Sequence, residues 1–574
     1  MSGERQSGVS DAAMLVAVGL VLAFTLLIWL WGGIAGALFG RGWPHVGGGE
    51  LLGVLVRLPG RLGNPAQAWP AQARAALPSS AGFYTALVVL AGAVAGVVAL
   101  LGRAGLFERL AKRGGGARWA GAGELRALRR SRGRATRGGR LVLGRRRGRL
   151  LYAEERHALV AFGPPQSGKS AGLAVPALLE WDGPAVASSI KTDLLAVTEA
   201  RRRALGTVFV FDPFALSGGA AHTWSPLAGA RTWDGALEVA WRLAAAGALD
   251  QRSVEGGDFW AIAAEQRLAP LLYAAAGTGA RIDSVVRWAY GQGTRDLHQA
   301  LATLAGSAQT EAELDGANAA YDAVSAFETQ ADRTRSSIEA TVQALLRAYR
   351  FARVARSAAG SEITADRLLD ERATLYLIGD AKASKLLRPI FLALLSEIVD
   401  RAYERATLAG GRLELPLLLC LDEAGNVAPL PNLAELASTA PSHNIQLVSI
   451  FHDLAQARSR YGQQAETVVN SHRARMLLPG VADLETLRYF GSLIGEEEAF
   501  DLSRTSGVGG SSRTSARRRR PLLAPEALRQ LPDRHALLLY GRLAPTQVRL
   551  RTWFDDPRLR RLAHAQTHAQ GGAP

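Results

Sequence analysis

The feature that most constrains this chain is an eight-residue loop between a short apolar run and a helix-like run. Residues 157–162 read as a buried strand, and residues 171–179 read as a helix. Between them stand Gly163, Pro164, Pro165, Gln166, Ser167, Gly168, Lys169 and Ser170. This is the G-x-x-x-x-G-K-[ST] phosphate loop in the strand–loop–helix context it requires. Glycines let backbone N–H groups close around phosphate oxygens, and the helix start adds the positive end of its dipole. Lys169 is expected to reach the β- and γ-phosphates, and the Ser170 hydroxyl to bind Mg²⁺. The expected ligands are therefore ATP and Mg²⁺.

Such a loop needs a second element, an apolar strand ending in acid. Residues 417–421 followed by Asp422 and Glu423 supply it. Asp422 is expected to hold Mg²⁺ through water. Glu423 is expected to polarise the attacking water as general base, with Lys169 as its catalytic companion. Further strands are expected at 185–189, 207–211, 374–378, 445–451, 474–478 and 536–540. Strands alternating with helical stretches argue for an α/β fold with a mostly parallel sheet. The loop and the acidic strand are far apart in sequence. Residues 232–366 between them are rich in Ala, Leu, Glu and Arg, and read as an inserted all-helical domain. The nucleotide-binding domain is then 151–231 plus 367–555, with a C-terminal tail at 556–574.

The N-terminal part is different in kind. Residues 12–40 and 75–102 contain no charged side chain. Each exceeds the ~20 residues that cross a bilayer. They predict a membrane anchor over 12–102, with helices at about 14–38 and 83–102 and an extracytoplasmic loop between. The net charge of +16 is concentrated just after it. Residues 103–149 hold 16 Lys or Arg against Glu108 and Glu124, a local balance of 16 − 2 = +14. The positive-inside bias then places residues 1–11 and the bulk of the chain in the cytoplasm, as a multi-pass protein of the plasma membrane. This juxtamembrane collar, 103–150, suits anionic lipid headgroups and nucleic acid alike. Residues 503–520 are rich in Ser, Gly and Arg and read as a flexible surface loop. The single cysteine, Cys420, excludes an internal disulfide framework and reads as a small core residue.

Several short pieces then occur in a telling order: Ala117-Arg-Trp-Ala120, Leu141-Val-Leu-Gly144, the phosphate loop, Ser189-Ile-Lys191-Thr-Asp193, Phe211-Asp-Pro213, Trp224-Ser-Pro-Leu227, Phe259-Trp260, and, past the acidic strand, Tyr461-Gly462 and Arg520-Pro521. Together they resemble the TraG/TraD family of conjugative coupling proteins of type IV secretion systems. The resemblance implies a RecA-like P-loop motor with an inserted all-helical domain, preceded by two transmembrane helices and assembled as a homohexamer. It implies an ATPase that pumps relaxase-bound single-stranded DNA, or protein substrates, into the secretion channel. The alternatives are a weakly hydrolysing receptor or scaffold, and a motor devoted to protein effectors. Lys191 lies in a segment that could contact nucleotide or a neighbouring subunit.

Two departures from the family matter. Where the family commonly has a γ-phosphate-sensing glutamine, this chain has His452, which does not mimic the amide. Gln456 is close by, in the following helix. An arginine that some members carry before the 445–451 strand is absent, so Arg473 and Arg475 become the candidates for acting on a neighbour's ATP.

Overall fold

The computed structural model describes residues 7–103, 116–129, 140–251, 257–507 and 510–564. Much of the basic collar lies outside the described residues. The chain divides into two compact units, residues 1–115 and 116–574.

In the first unit two long helices, Ser7–Phe39 and Ser80–Arg103, pack together through aromatic residues. Trp31 donates from its indole Nε1 to the Phe83 carbonyl at 2.7 Å, and Trp69 closes over both rings. The helices coincide with the two uncharged stretches. Among the described residues, however, no helix is long and apolar enough to cross a membrane, so the expectation of two spans is not supported by them. The side chains of residues 7–22 and 97–103 lie outside that description.

The second unit is built on one eleven-stranded sheet. Its strands are β1 (Val142–Arg146), β2 (Arg149–Tyr152), β3 (Ala158–Phe162), β4 (Ala185–Ser189), β5 (Val208–Phe211), β6 (Thr374–Ile378), β7 (Leu417–Leu421), β8 (Ile445–Phe451), β9 (Ala474–Leu477), β12 (His535–Tyr540) and β13 (Thr546–Arg549), in the order β2-β1-β13-β12-β9-β3-β8-β7-β4-β6-β5. The strands from β9 to β5 run parallel, and β12, β13, β1 and β2 continue the sheet antiparallel. Central strands are buried on both faces, which explains their unbroken apolar sequences. Along β3, Val160 and Phe162 join the larger core on one face, while Leu159 and Ala161 join the second core on the other. The larger core is continuous with a run of helices from Trp233–Gln251 to Ala352–Ser357. The cysteine is buried in β7, and burial pushes its thiol well above the ordinary range.

The reading of 503–520 as a flexible loop is corrected by a separate two-stranded ribbon, β10 (Glu496–Gly507) paired with β11 (Gly510–Pro521). At its Glu496–Pro521 end the pairing sets opposite charges across the ladder. Glu497 and Glu498 stand opposite Arg520 and Arg519, and Arg520 Nε lies 2.7 Å from Glu497 Oε1. Opposite charges facing each other across a ladder favour that register.

Candidate nucleotide site

The site forms at the C-terminal ends of three adjacent strands, where open α/β sheets place their ligands. β3 runs into the phosphate loop, β8 ends at His452, and β7 ends at Asp422 and Glu423. The loop is anchored at its start, because Gly163 donates to the Phe451 carbonyl and Leu478 donates to the Phe162 carbonyl. A Cβ at Gly163 would lie 2.5 Å from Ser167 Oγ, and Gly168 has φ +86°, so both glycines are required by geometry. Pro165 and Gln166 are exposed at the tip, and Pro164 and Ser167 are half-buried beneath them. A helix follows, opening with a wide π turn over Ser170–Ala174 and continuing through Val175–Glu180.

Lys169 is buried and pairs with Glu423 at 2.8 Å, while also donating to the Gly163 carbonyl at 3.3 Å. The other Glu423 oxygen, Oε2, lies 2.6 Å from His452 Nε2 and accepts from Asn426 Nδ2 at 3.0 Å. Burial alone would raise the Glu423 carboxyl. The hydrogen bonds from His452 and Lys169 outweigh it and hold the group at about 2. Glu423 is thus an ionised carboxylate with both oxygens engaged. Its backbone is left-handed, φ 68°, which is uncommon for a residue with a side chain. The turn lets Ala424 donate to the Ile450 carbonyl, while Asn426 and Val427 donate back to Glu423.

Asp422 has the opposite electrostatics. Burial pushes its carboxyl up to about 6, with Ser170 opposing and the charges of Glu423 and Asp193 adding to the rise. The Ser170 hydroxyl donates to Asp422 Oδ2 at 2.6 Å, and Asp422 Oδ1 is buried without a protein partner. A buried carboxylate oxygen without a partner, beside a hydroxyl, is a donor set that fits a hard divalent cation. Ser170 and Asp422 are the residues that would hold Mg²⁺.

The remaining candidates are placed as follows. His452 belongs to the site, and its backbone N–H donates to Gln456 Oε1 at 2.8 Å. Lys191 is exposed at the loop after β4, where its backbone N–H donates to Ser189 Oγ. Arg473 pairs with Glu154 at 2.7 Å, and Arg475 donates to the Val469 and Asn470 carbonyls. Arg473 precedes β9 and Arg475 stands in it opposite Val160 of β3, with neither side chain joining Lys169 in the same subunit. Asn426 escaped the sequence reading. Its signal is only that it lies three residues after Glu423, which is meaningful once the turn is known.

A phosphate loop and an acid-ended strand separated by one strand of a parallel sheet define a P-loop motor of the RecA type. The sequence matches the family described as Type IV secretory system Conjugative DNA transfer over residues 118–571, and the chain belongs to that family. It is 28% identical over 412 residues to the conjugal transfer protein TraG of Escherichia coli, an alignment covering 67% of this chain and 63% of that protein. The chain therefore spans under two thirds of that relative's length. It is 23% identical to the protein VirD4 of Agrobacterium fabrum over 507 residues, covering 85% of this chain and 72% of the relative. Among solved structures, the bacterial conjugative coupling protein TrwB lacking its N-terminal 70 residues superposes with a TM-score of 0.55 at 18% identity, covering 76% of this chain and 93% of that one. A TrwB complex with ADP and Mg²⁺ gives 0.54 at 19% identity. These neighbours share the fold.

Proposed function

We propose that this chain is an ATP-driven coupling protein that moves DNA, with any protein bound to it, into a type IV secretion channel. The observation that carries the reading is the convergence of Lys169 with Glu423 and of Ser170 with Asp422, within hydrogen-bonding reach across the C-terminal ends of β3 and β7. Membership of the conjugative DNA transfer family supports DNA as cargo, and the TrwB complexes support ATP with Mg²⁺.

In this reading Lys169 leaves Glu423 to meet the phosphates, an exchange of one anion for another. Ser170 and Asp422 would hold Mg²⁺, which would supply charge neutralisation for the transferred phosphate. Glu423, released on one oxygen and still held by His452 and Asn426 on the other, takes a proton from the attacking water. The bound geometry of Glu423 is thus kept while its free oxygen becomes available.

The two long helices of residues 1–115 complete the proposal as a plasma-membrane anchor, with the motor cytoplasmic and six subunits around a pore. The uncharged stretches 12–40 and 75–102 and the basic residues that follow support it. Cys420 is the only cysteine and is buried, so single cysteines introduced at 60 and 300 report sidedness by thiol labelling.

A second reading, an ATP-binding scaffold with little turnover, is favoured by one observation: His452 stands where the family commonly has glutamine, and it engages the base rather than leaving it free. A conjugation assay separates function from binding. Lys169→Ala is expected to abolish transfer while the protein still reaches the membrane, and transfer at the wild-type frequency would overturn the motor reading.

A further inference from the structure

At the antiparallel end of the sheet lies a cleft of about 550 Å³ whose lining includes Trp119, Arg145, Arg146, Arg147, Gln547 and Arg549. Three features of the chain build it. Gly144 has φ +135°, and a Cβ there would sit 2.9 Å from the Arg549 carbonyl, so only glycine lets β1 approach β13 this closely. The approach places Arg145 directly opposite Arg549 across the ladder. Arg147, at φ 47°, and Gly148 then turn the chain back into β2, adding further guanidinium to the same place.

Along β13 exposure alternates, with Thr546 and Val548 buried and Gln547 and Arg549 exposed. The polar pair therefore faces the cleft, while Val548 and the following Leu550 face the core. Leu550 packs on Gly172 of the phosphate-loop helix, where a Cβ would meet it at 3.1 Å. Arg549 of the cleft is thus one residue along the chain from a contact with the phosphate-loop helix.

Like charges directly opposite one another in a ladder are unfavourable. Of the cleft arginines, Asp556 pairs only with Arg145, at 2.8 Å, its same oxygen also being held by Arg551 at 2.9 Å, and Arg146 donates to the Ala120 carbonyl. Among the described residues, Arg147 and Arg549 form no ion pair. Burial first, then the charges of Arg147 and Arg129, with Glu124 opposing, hold the Arg146 guanidinium below its ordinary value. Trp119 lines the wall half-buried, packed in part against the larger core.

We propose that this cleft binds the phosphodiester backbone of single-stranded nucleic acid, with Arg147 and Arg549 on phosphates and Trp119 against a base. Guanidiniums that track a backbone beside an aromatic stacking platform are the chemistry of sequence-tolerant single-strand binding. The inference rests on the DNA-coupling reading and names where the motor holds its strand. A concave cleft walled by tryptophan suits a strand that can enter it better than a flat membrane surface.

The test uses the full-length chain in nanodiscs of neutral lipid and a fluorescent thirty-residue oligo-dT, with anisotropy followed from low to high salt. For Arg147→Gln with Arg549→Gln, affinity at low salt is expected to fall on the order of tenfold, and the log–log salt slope to flatten by about 1.4, two single-strand contacts' worth. Turnover of ATP without DNA is expected to stay at the wild-type level. Trp119→Ala is expected to weaken binding without changing the slope, and Trp119→Phe to restore most of it. Unchanged affinity and slope in the arginine variant, with wild type binding, would overturn the cleft alone. Loss only of binding to anionic vesicles would assign it to lipid, and loss of the oligomer would assign it to a subunit contact; either overturns the proposal. No oligo-dT binding by wild type would overturn the DNA-coupling reading itself and the cleft with it.

Discussion

His452 Nε2 lies 2.6 Å from Glu423 Oε2, while Lys169 holds the opposite oxygen of the same carboxylate at 2.8 Å. The carboxylate is therefore gripped from two sides, and in the proposed mechanism only the lysine side has a competing task at the phosphates. His452→Gln keeps a hydrogen-bond donor but changes its reach and geometry. We expect kcat to change while nucleotide affinity stays within about twofold, because the side chain acts on the base. An affinity change with constant kcat, in steady-state kinetics beside a nucleotide-binding isotherm, would place His452 on the nucleotide instead.

The Lys169–Glu423 pair also has a structural consequence. Both side chains are under a tenth exposed. Removing one partner of a buried pair typically costs about 3–5 kcal/mol, because the other charge is left uncompensated. Lys169→Met is expected to lower the Tm of the motor. Lys169→Met with Glu423→Gln is expected to recover most of that loss while remaining inactive. A double variant no more stable than the single one, by calorimetry, would mean that the pair is not the source of the effect.

Stability should fall as the medium is acidified from pH 6.5 toward 4. Burial holds His157 and His472 at about 4, against an ordinary value near 6.5. The folded state keeps both neutral in that window while the unfolded chain takes up protons, so stability is complete above 6.5 and is lost on the way down to 4. Asp422, raised to about 6, acts in the opposite direction, but it is one group against two. The depressed Glu423 adds its loss lower, between its ordinary value and about 2. Thermal scans at pH 7, 6 and 5 are expected to show a descending Tm. A flat or rising Tm would mean that the histidines are not held neutral.

Arg202 is fully buried and ties three elements together. It donates to Thr374 Oγ1 at 2.6 Å, to the Trp181 carbonyl at 2.5 Å and to the Gly183 carbonyl at 2.7 Å, bridging the starts of β4 and β6. Arg202→Met fills similar space but leaves those acceptors without a donor. A loss of about 3 kcal/mol is expected in denaturant unfolding, since each abandoned buried acceptor costs about 1–3 kcal/mol. A change within experimental error would show that the carbonyls find other donors.

The parts of the molecule legible in its sequence are those in which a short motif demands one context. The phosphate loop can work only between a strand and a helix, and its partner strand must end in acid. Both elements stand where those demands place them. The central strands were legible because burial on both faces leaves unbroken apolar runs such as 417–421. The edge was less so: β1, β2 and β13 are short and half-polar, and their pairing depends on Gly144, whose role appears only once β13 is beside it. The β10–β11 ribbon is not legible because its Ser, Gly and Arg content resembles a loop, and Glu497 and Glu498, which face its arginines, lie before that stretch. The left-handed turn at Glu423, which brings Asn426 and His452 onto one carboxylate, has no local sequence signature.

The most direct measurement is ATP hydrolysis by the full-length chain, with and without single-stranded DNA, for wild type and Glu423→Gln. The account predicts turnover that DNA accelerates, and a fall of about 10²–10⁴-fold in the variant with nucleotide still bound, as expected for loss of a general base. Equal rates for the two proteins, or no turnover by wild type under any condition while ATP binds, would contradict it.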